Sequence, residues 1–254
     1  MNWEKQQRIY ERKAYRIIQR HLKMLLGDLP INNISELTYP YIVSASITDE
    51  KIKAMLLDVY TNIGFDYAKK VNSTIENTKK DNILFNDALL KEILLFLTNK
   101  GGIKITSIKD TLTENVIDAI KQVIGENGTL IDIQNVIYNI TRRSQSFYKW
   151  QALRIARTET TFSANFAAIE TAKNSTFEIE KTWISAKDDR TRHDHLIENG
   201  KKVDFDKPFK LDDGTLMMFP GDTDAPAKQV INCRCTVGFK GKRDADGFLI
   251  MKKQ

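Results

Sequence analysis

The sequence predicts an α+β protein that is predominantly helical: a helical N-terminal region, then a small mixed α+β domain with short antiparallel strands. Three observations lead there. Apolar residues recur at three- to four-residue steps almost continuously from residue 3 to about residue 173. The texture changes after Ser175, where residues 177–184 alternate apolar and polar side chains as a half-buried strand does. Gly, Pro and Asp then punctuate short segments to about residue 240.

Taken in order, residues 3–26 read as one helix, with Tyr10, Ala14, Ile17, Ile18, Leu22 and Leu25 on its apolar stripe and Gly27 and Pro30 ending it. His21 falls on that stripe and reads as a packing residue. Residues 28–47 read as a loop. A second helix begins near Thr48, where Asp49 and Glu50 suit the positive end of the helix dipole. Its buried stripe is Ile52, Leu56, Val59 and Ile63, and the polar run 72–82 breaks it. Residues 86–97 are nearly all apolar, as a helix covered on several sides would be. Gly101-Gly102 marks a boundary between a region 1–102 and a second region 103–240, followed by a basic, loose tail at 241–254. Further helices are expected at 113–124, 130–140 and 147–173. Asp213-Gly214 and Pro220-Gly221-Asp222 are turn signals, and Met217, Met218 and Phe219 between them suggest a hairpin.

Composition narrows the function classes. No run approaches the ~20 apolar residues of a membrane span, and the N-terminus has no signal-peptide apolar region. The net charge of +6 is uneven, since residues 1–23 carry seven Lys/Arg against two Asp/Glu. Such a basic segment suits a nucleic-acid backbone or an acidic protein surface, and equally a solvated helix face. The two cysteines are one residue apart and cannot staple distant parts of the chain, which points to a reducing cytoplasm.

Soft metal-ligand residues are scarce and concentrated. Of three histidines and two cysteines, residues 188–235 hold His193, His195, Cys233 and Cys235. On extended backbone an i, i+2 spacing places both members of a pair on one side. Two imidazoles and two thiolates form a set that zinc takes tetrahedrally. A buried Cys/His hydrogen-bonded cluster is the alternative, because zinc sites more often separate their cysteines by two residues. Asp188, Asp189 and Asp194 interleave with Arg190 and Arg192. That pattern fits either an ion-paired turn or phosphodiester chemistry in which Asp194, His195 and Asn232 hold a divalent cation and activate water. Arg154 and Arg157 share a helix face, with Glu159 on another side.

The order of these motifs is more specific than any one of them. Arg154-Ile-Ala-Arg157-Thr-Glu159-Thr160 and Ala164-Asn165 are followed by Lys181-Thr-Trp183-Ile-Ser185. Next come Asp189-Arg190-Thr191-Arg192-His193-Asp194-His195, Gly200, Phe205, Phe209, Pro220-Gly221-Asp222 and Asn232-Cys233-Arg234-Cys235. Over about residues 112–238 the chain resembles the phage Mu F-like minor head proteins, also called phage head morphogenesis proteins. The resemblance implies a minor capsid protein of a tailed bacteriophage, made in the host bacterial cytoplasm and carried in the virion, inside the capsid near the portal vertex. Its implied partners are the portal protein, capsid or scaffold proteins and packaged double-stranded DNA; its implied work is head assembly and DNA packaging or delivery. It implies no catalytic activity, with a metal-dependent nuclease as the competing reading. Arg154, Arg157, Glu159, Trp183, Asp189, Arg190, Arg192 and Asn232 would be structural motif residues. The family histidine maps onto His195 and its Asn-Cys-Arg-Cys onto 232–235. His193 stands where the family pattern specifies nothing, which weakens the set of two histidines and two cysteines; His195, Cys233 and Cys235 would hold zinc with the fourth position open, His193 and Asp189 being its candidates.

Overall fold

The computed structural model describes residues 3–75, 83–141 and 146–252. Its helices are α1 (Trp3–Gly27), α2 (Tyr39–Ser46), α3 (Asp49–Ile75), α4 (Ile83–Asn99), α5 (Gly102–Gly125), α6 (Leu130–Thr141), α7 (Ser146–Lys173), α8 (His193–Glu198) and α9 (Ala227–Val230). The strands are β1 (Ile179–Ile184), β2 (Lys202–Asp204), β3 (Phe209–Lys210), β4 (Leu216–Met217) and β5 (Thr236–Gly241). The α+β class with short antiparallel strands is as the sequence predicts. No described helix is long and apolar enough to cross a membrane.

Two compact units are built from non-contiguous segments. One comprises Met1–Ala14, Val59–Ile93 and Arg154–Gln254; the other comprises Tyr15–Asp58 and Leu94–Leu153. Helices α1, α3, α4 and α7 each contribute to both, and the expected boundary at 102/103 falls inside the second.

In the second unit the apolar stripes form the core, with Ile18, Leu26, Val43, Ile47, Ile52, Leu56 and Ile120 essentially without solvent contact. His21 is not simply packed: its Nε2 lies 3.0 Å from Asp58 Oδ2, which Arg20 also engages. The segment 28–47 is not a loop. It carries a 3₁₀ turn at Ile31–Asn33 and then α2, whose Pro40 sits in the first turn, where a missing N–H costs nothing. Helix α5 starts at Gly102, well before residue 113, because Ile105 and Leu112 extend the buried stripe backwards. A capping box starts α6: the Thr129 amide donates to Asp132 at 2.7 Å, and the Asp132 amide to Thr129 Oγ1 at 3.3 Å. The polar run 72–82 starts within α3, and residues 76–82 lie outside the described residues.

In the first unit a three-stranded antiparallel sheet, ordered β2-β1-β5, pairs Trp183 with Val237 and Lys181 with Phe239. The β3–β4 hairpin pairs Phe209 with Met217 around the Asp213-Gly214 turn. Lys181, on the inward face of β1, is fully buried; its Nζ donates to Met218 O at 2.9 Å and lies 5.4 Å from the Phe209 ring centre. Burial pushes its pKa down to about 8.

The described part of the tail, to residue 252, is paired rather than loose. The Lys242 amide donates to Glu178 O, that of Glu178 to Ile250 O, and that of Lys252 to Thr176 O. The chain can return because Asp244 Oδ1 accepts the Asp246 and Phe248 amides and Gly247 takes φ +87°, a turn that aligns Arg243 with Leu249.

A buried imidazole–dithiol cluster as candidate metal centre

The turn carrying the histidines is set by Asp188, whose Oδ1 accepts the Arg190 amide at 3.1 Å and the Thr191 hydroxyl at 3.0 Å. This Asx-type turn feeds helix α8, so residues 193–195 are helical rather than extended. An i, i+2 pair on a helix points to nearly opposite sides. His195 is accordingly buried and His193 is exposed. Asp189 is also exposed, its side chain 92% accessible beside Arg190.

The cysteines come from the other end of the segment. After α9, Asn232 takes a left-handed φ of 59°, which Asn tolerates better than most residues. The reversal aims Cys233 and Cys235 inward ahead of β5. Helix α7 grips this run by its backbone: the Asn232 amide donates to Thr158 Oγ1 at 3.0 Å, and Thr161 Oγ1 donates to Cys233 O at 2.5 Å. Asn165 is buried and uses both ends of its amide. Its Nδ2 donates to Pro220 O (2.7 Å) and Cys235 O (3.2 Å), while Oδ1 accepts Thr236 Oγ1 (2.8 Å) and the Val237 amide (3.0 Å). Gly221 makes this closeness possible: it has φ +88°, and a Cβ there would lie 3.1 Å from Thr161 Cγ2.

His195 Nδ1 lies 3.6 Å from Cys233 Sγ and 3.5 Å from Cys235 Sγ. All three ligand atoms fall within 4.8 Å of one another. For bonds of ~2.3 Å to sulfur and ~2.05 Å to nitrogen, a tetrahedral zinc sets nitrogen and sulfur about 3.6 Å apart. The donor set therefore fits zinc in chemistry and in spacing. Among the described residues, no His, Cys, Asp or Glu joins as a fourth member. The expected roles of His193 and Asp189 as fourth ligand have no geometric basis here.

The tautomer is fixed from behind. Gln229 Nε2 donates to Asp194 Oδ2 at 2.6 Å and to Asp213 Oδ2 at 2.9 Å. Its Oε1 must therefore face His195 Nε2, at 3.0 Å, and accept that proton. Nδ1 is left to meet the sulfurs, the arrangement in which a ligating histidine donates its other nitrogen to an outer partner. The Gln229 hydrogen bond holds Asp194 below the usual carboxylate range, and the Lys228 ammonium, 2.7 Å away, does the same to Asp213. Between the cysteines, a shared hydrogen bond lowers Cys233 well below an ordinary thiol and raises Cys235 well above it. Trp183 stands edge-on to His195, ring centres 5.1 Å apart, and edge-on to Phe209 at 5.3 Å.

The remaining motif residues hold the frame. Arg157 pairs with Glu11 at 3.4 Å, and Tyr60 donates to Glu159 at 2.6 Å in the buried interior. Arg192 donates to Ile231 O, and Arg234 makes a two-pronged pair with Asp188. Arg154 is half-buried on the same helix. Against hydrolysis, His195 is 1% exposed and both its ring nitrogens face protein partners, which leaves none for an attacking water. Sequence reasoning overlooked Gln229 and Asp213: Lys-Gln-Val carries no motif, and Asp213 looked like a turn residue only. Asn165 stood within a quoted motif, but without a role.

No curated protein and no solved structure gives a match to the chain. The model of the family described as Phage Mu protein F like protein matches residues 110–238, a span that includes α7, β1 to β4, the start of β5, Gln229 and the whole imidazole–dithiol cluster. The chain belongs to this family of structural phage head proteins.

Proposed function

We propose that the chain is a minor head protein associated with the portal vertex of a tailed phage, where it assists head assembly and DNA packaging or delivery. The observation that carries this reading is the family match over the complete closure of the first unit, from α7 to the cysteine run. In this reading the helical residues ahead of the matched span dock the portal, capsid or scaffold proteins, and the basic residues of α1 contact packaged double-stranded DNA through its phosphates. The virion interior is the site of action.

His195, Cys233 and Cys235 would hold a zinc ion whose role is structural. The ion would supply a cross-link between α8 and the segment entering β5, held in orientation by Gln229.

The test has two arms. Purified protein co-sediments with its portal protein, and mass spectrometry finds it in purified virions; failure of both ends the portal reading. Elemental analysis finds one zinc per chain in the wild type and none in Cys233→Ser; no metal in either leaves the cluster a purely hydrogen-bonded one.

A further inference from the structure

A cleft of about 260 Å³ in the first unit is lined by Arg8, Arg157, Arg190 and Arg234 together with Glu11 and Asp188. Four guanidinium groups facing two carboxylates leave two positive charges in excess. Arg157 and Arg234 are committed to Glu11 and Asp188. Arg8 is exposed, and among the described residues the Arg190 guanidinium pairs only with the exposed Asp189, at 4.0 Å. The charges converge on one place: burial pushes the Glu11 carboxyl up, while Arg157, Arg234 and Arg190 all pull it back down.

A second observation is independent of charge. Gln7 lines the same cleft, is 4% exposed, and its buried Nε2 has no hydrogen-bond partner among the described residues. An unmet buried donor is costly and rare. Here it borders a cleft with surplus cations, so a group that accepts several hydrogen bonds and carries negative charge would satisfy both. The volume holds a tetrahedral oxyanion and a few waters at ~30 Å³ each. Guanidinium groups match such oxygens geometrically.

We infer that this cleft binds a phosphate dianion, held by Arg8 and Arg190 with the Gln7 amide as a third donor. The excess of two charges suits a dianion better than a single backbone phosphodiester. The ligand is either free phosphate or the terminal monoester phosphate of a nucleotide chain. This goes beyond the head-protein reading and does not depend on it, nor on zinc.

The experiment uses the full chain and two variants: Arg190→Gln, an exposed change that leaves the fold intact, and Gln7→Met, which fills the same space without a donor. Calorimetric titration with inorganic phosphate is one arm. The other compares a short DNA duplex carrying 5′-terminal phosphates with its unphosphorylated twin. Saturable phosphate binding weakened about tenfold or more in each variant establishes the site with free phosphate as ligand. Preference for the phosphorylated duplex, lost in the variants, establishes it with the terminal monoester as ligand. Absence of phosphate binding together with equal affinity for the two duplexes overturns the inference. So does binding that both variants, folded by circular dichroism, leave unchanged.

Discussion

Gln229 turns the carbonyl end of its side-chain amide to His195, Oε1 to Nε2 3.0 Å, because two carboxylates hold its amino end. A glutamine whose orientation is set from one side thereby sets the proton position on an imidazole at the other. Gln229→Leu keeps the volume and removes both functions. Zinc affinity measured by chelator competition is expected to fall ~10–100-fold, the usual effect of losing such an outer partner. Unchanged affinity would show that the imidazole needs no such support.

Asn165 closes α7 onto the cysteine run, and its replacement should be among the most destabilising in the first unit. Asn165→Ala strands the Val237 amide and the Pro220 and Cys235 carbonyls without water access. At ~1–3 kcal/mol for each stranded group, a loss of ~3 kcal/mol or more is expected in urea unfolding. Asn165→Asp keeps the acceptor oxygen but loses the donor to the two carbonyls and buries a charge, and should recover little. A loss below ~1 kcal/mol for the alanine variant would mean that water replaces the amide.

At Gly221 two constraints coincide. The φ of +88° disfavours any side chain, and a Cβ would press on Thr161 Cγ2 at 3.1 Å and the Phe162 amide nitrogen at 3.3 Å. Gly221→Ala is expected to cost ~1–3 kcal/mol, whereas Gly214→Ala, at φ +82° with open space around its Cβ, pays for strain alone and should cost less. Equal losses in thermal melts would remove the close approach from the account.

Lys181 gives the fold a pH dependence of predictable sign. Burial lowers its folded pKa to about 8 from 10.5, so between those values the unfolded chain holds a proton that the folded chain does not. Stability from this group rises as pH rises through that window and is least below pH 8. The stability difference between Lys181→Met and wild type should therefore shift toward wild type from pH 8 to 10.5 and stay constant from pH 6 to 7.5. A difference that is flat throughout would show the ammonium to be solvated.

Regularity within one element was readable from the sequence. The stripe Ile52, Leu56, Val59, Ile63 announced α3, and the alternation ending at Ile184 announced β1, because each depends on the period of a single element. The meeting of His195 with Cys233 and Cys235 was also readable, since so few ligand residues exist to be shared out. What escaped depends on one side chain capping another. Asp188 fixes the turn that leads into α8, and the helical backbone there sends His193 outward. Asp244 folds the tail back onto the segment before β1. Gln229 gains its role only when the hairpin turn and α8 arrive on either side of it, and no local period encodes that encounter.

Trp3 Nε1 donates to the carbonyl of Arg234 at 2.8 Å, across 231 residues of chain. The opening turns of α1 thus belong to a unit whose sheet and cysteine run are synthesised long after them. A ribosome that has released residues 1–153 has exposed every segment of the second unit but only part of the first. Tyr10, Tyr60 and Tyr67, buried in the finished protein, are made before the segment 154–254 that completes their unit. Such long closures fold slowly, so the early aromatic residues of the first unit gain their final neighbours only after the sheet segments have emerged.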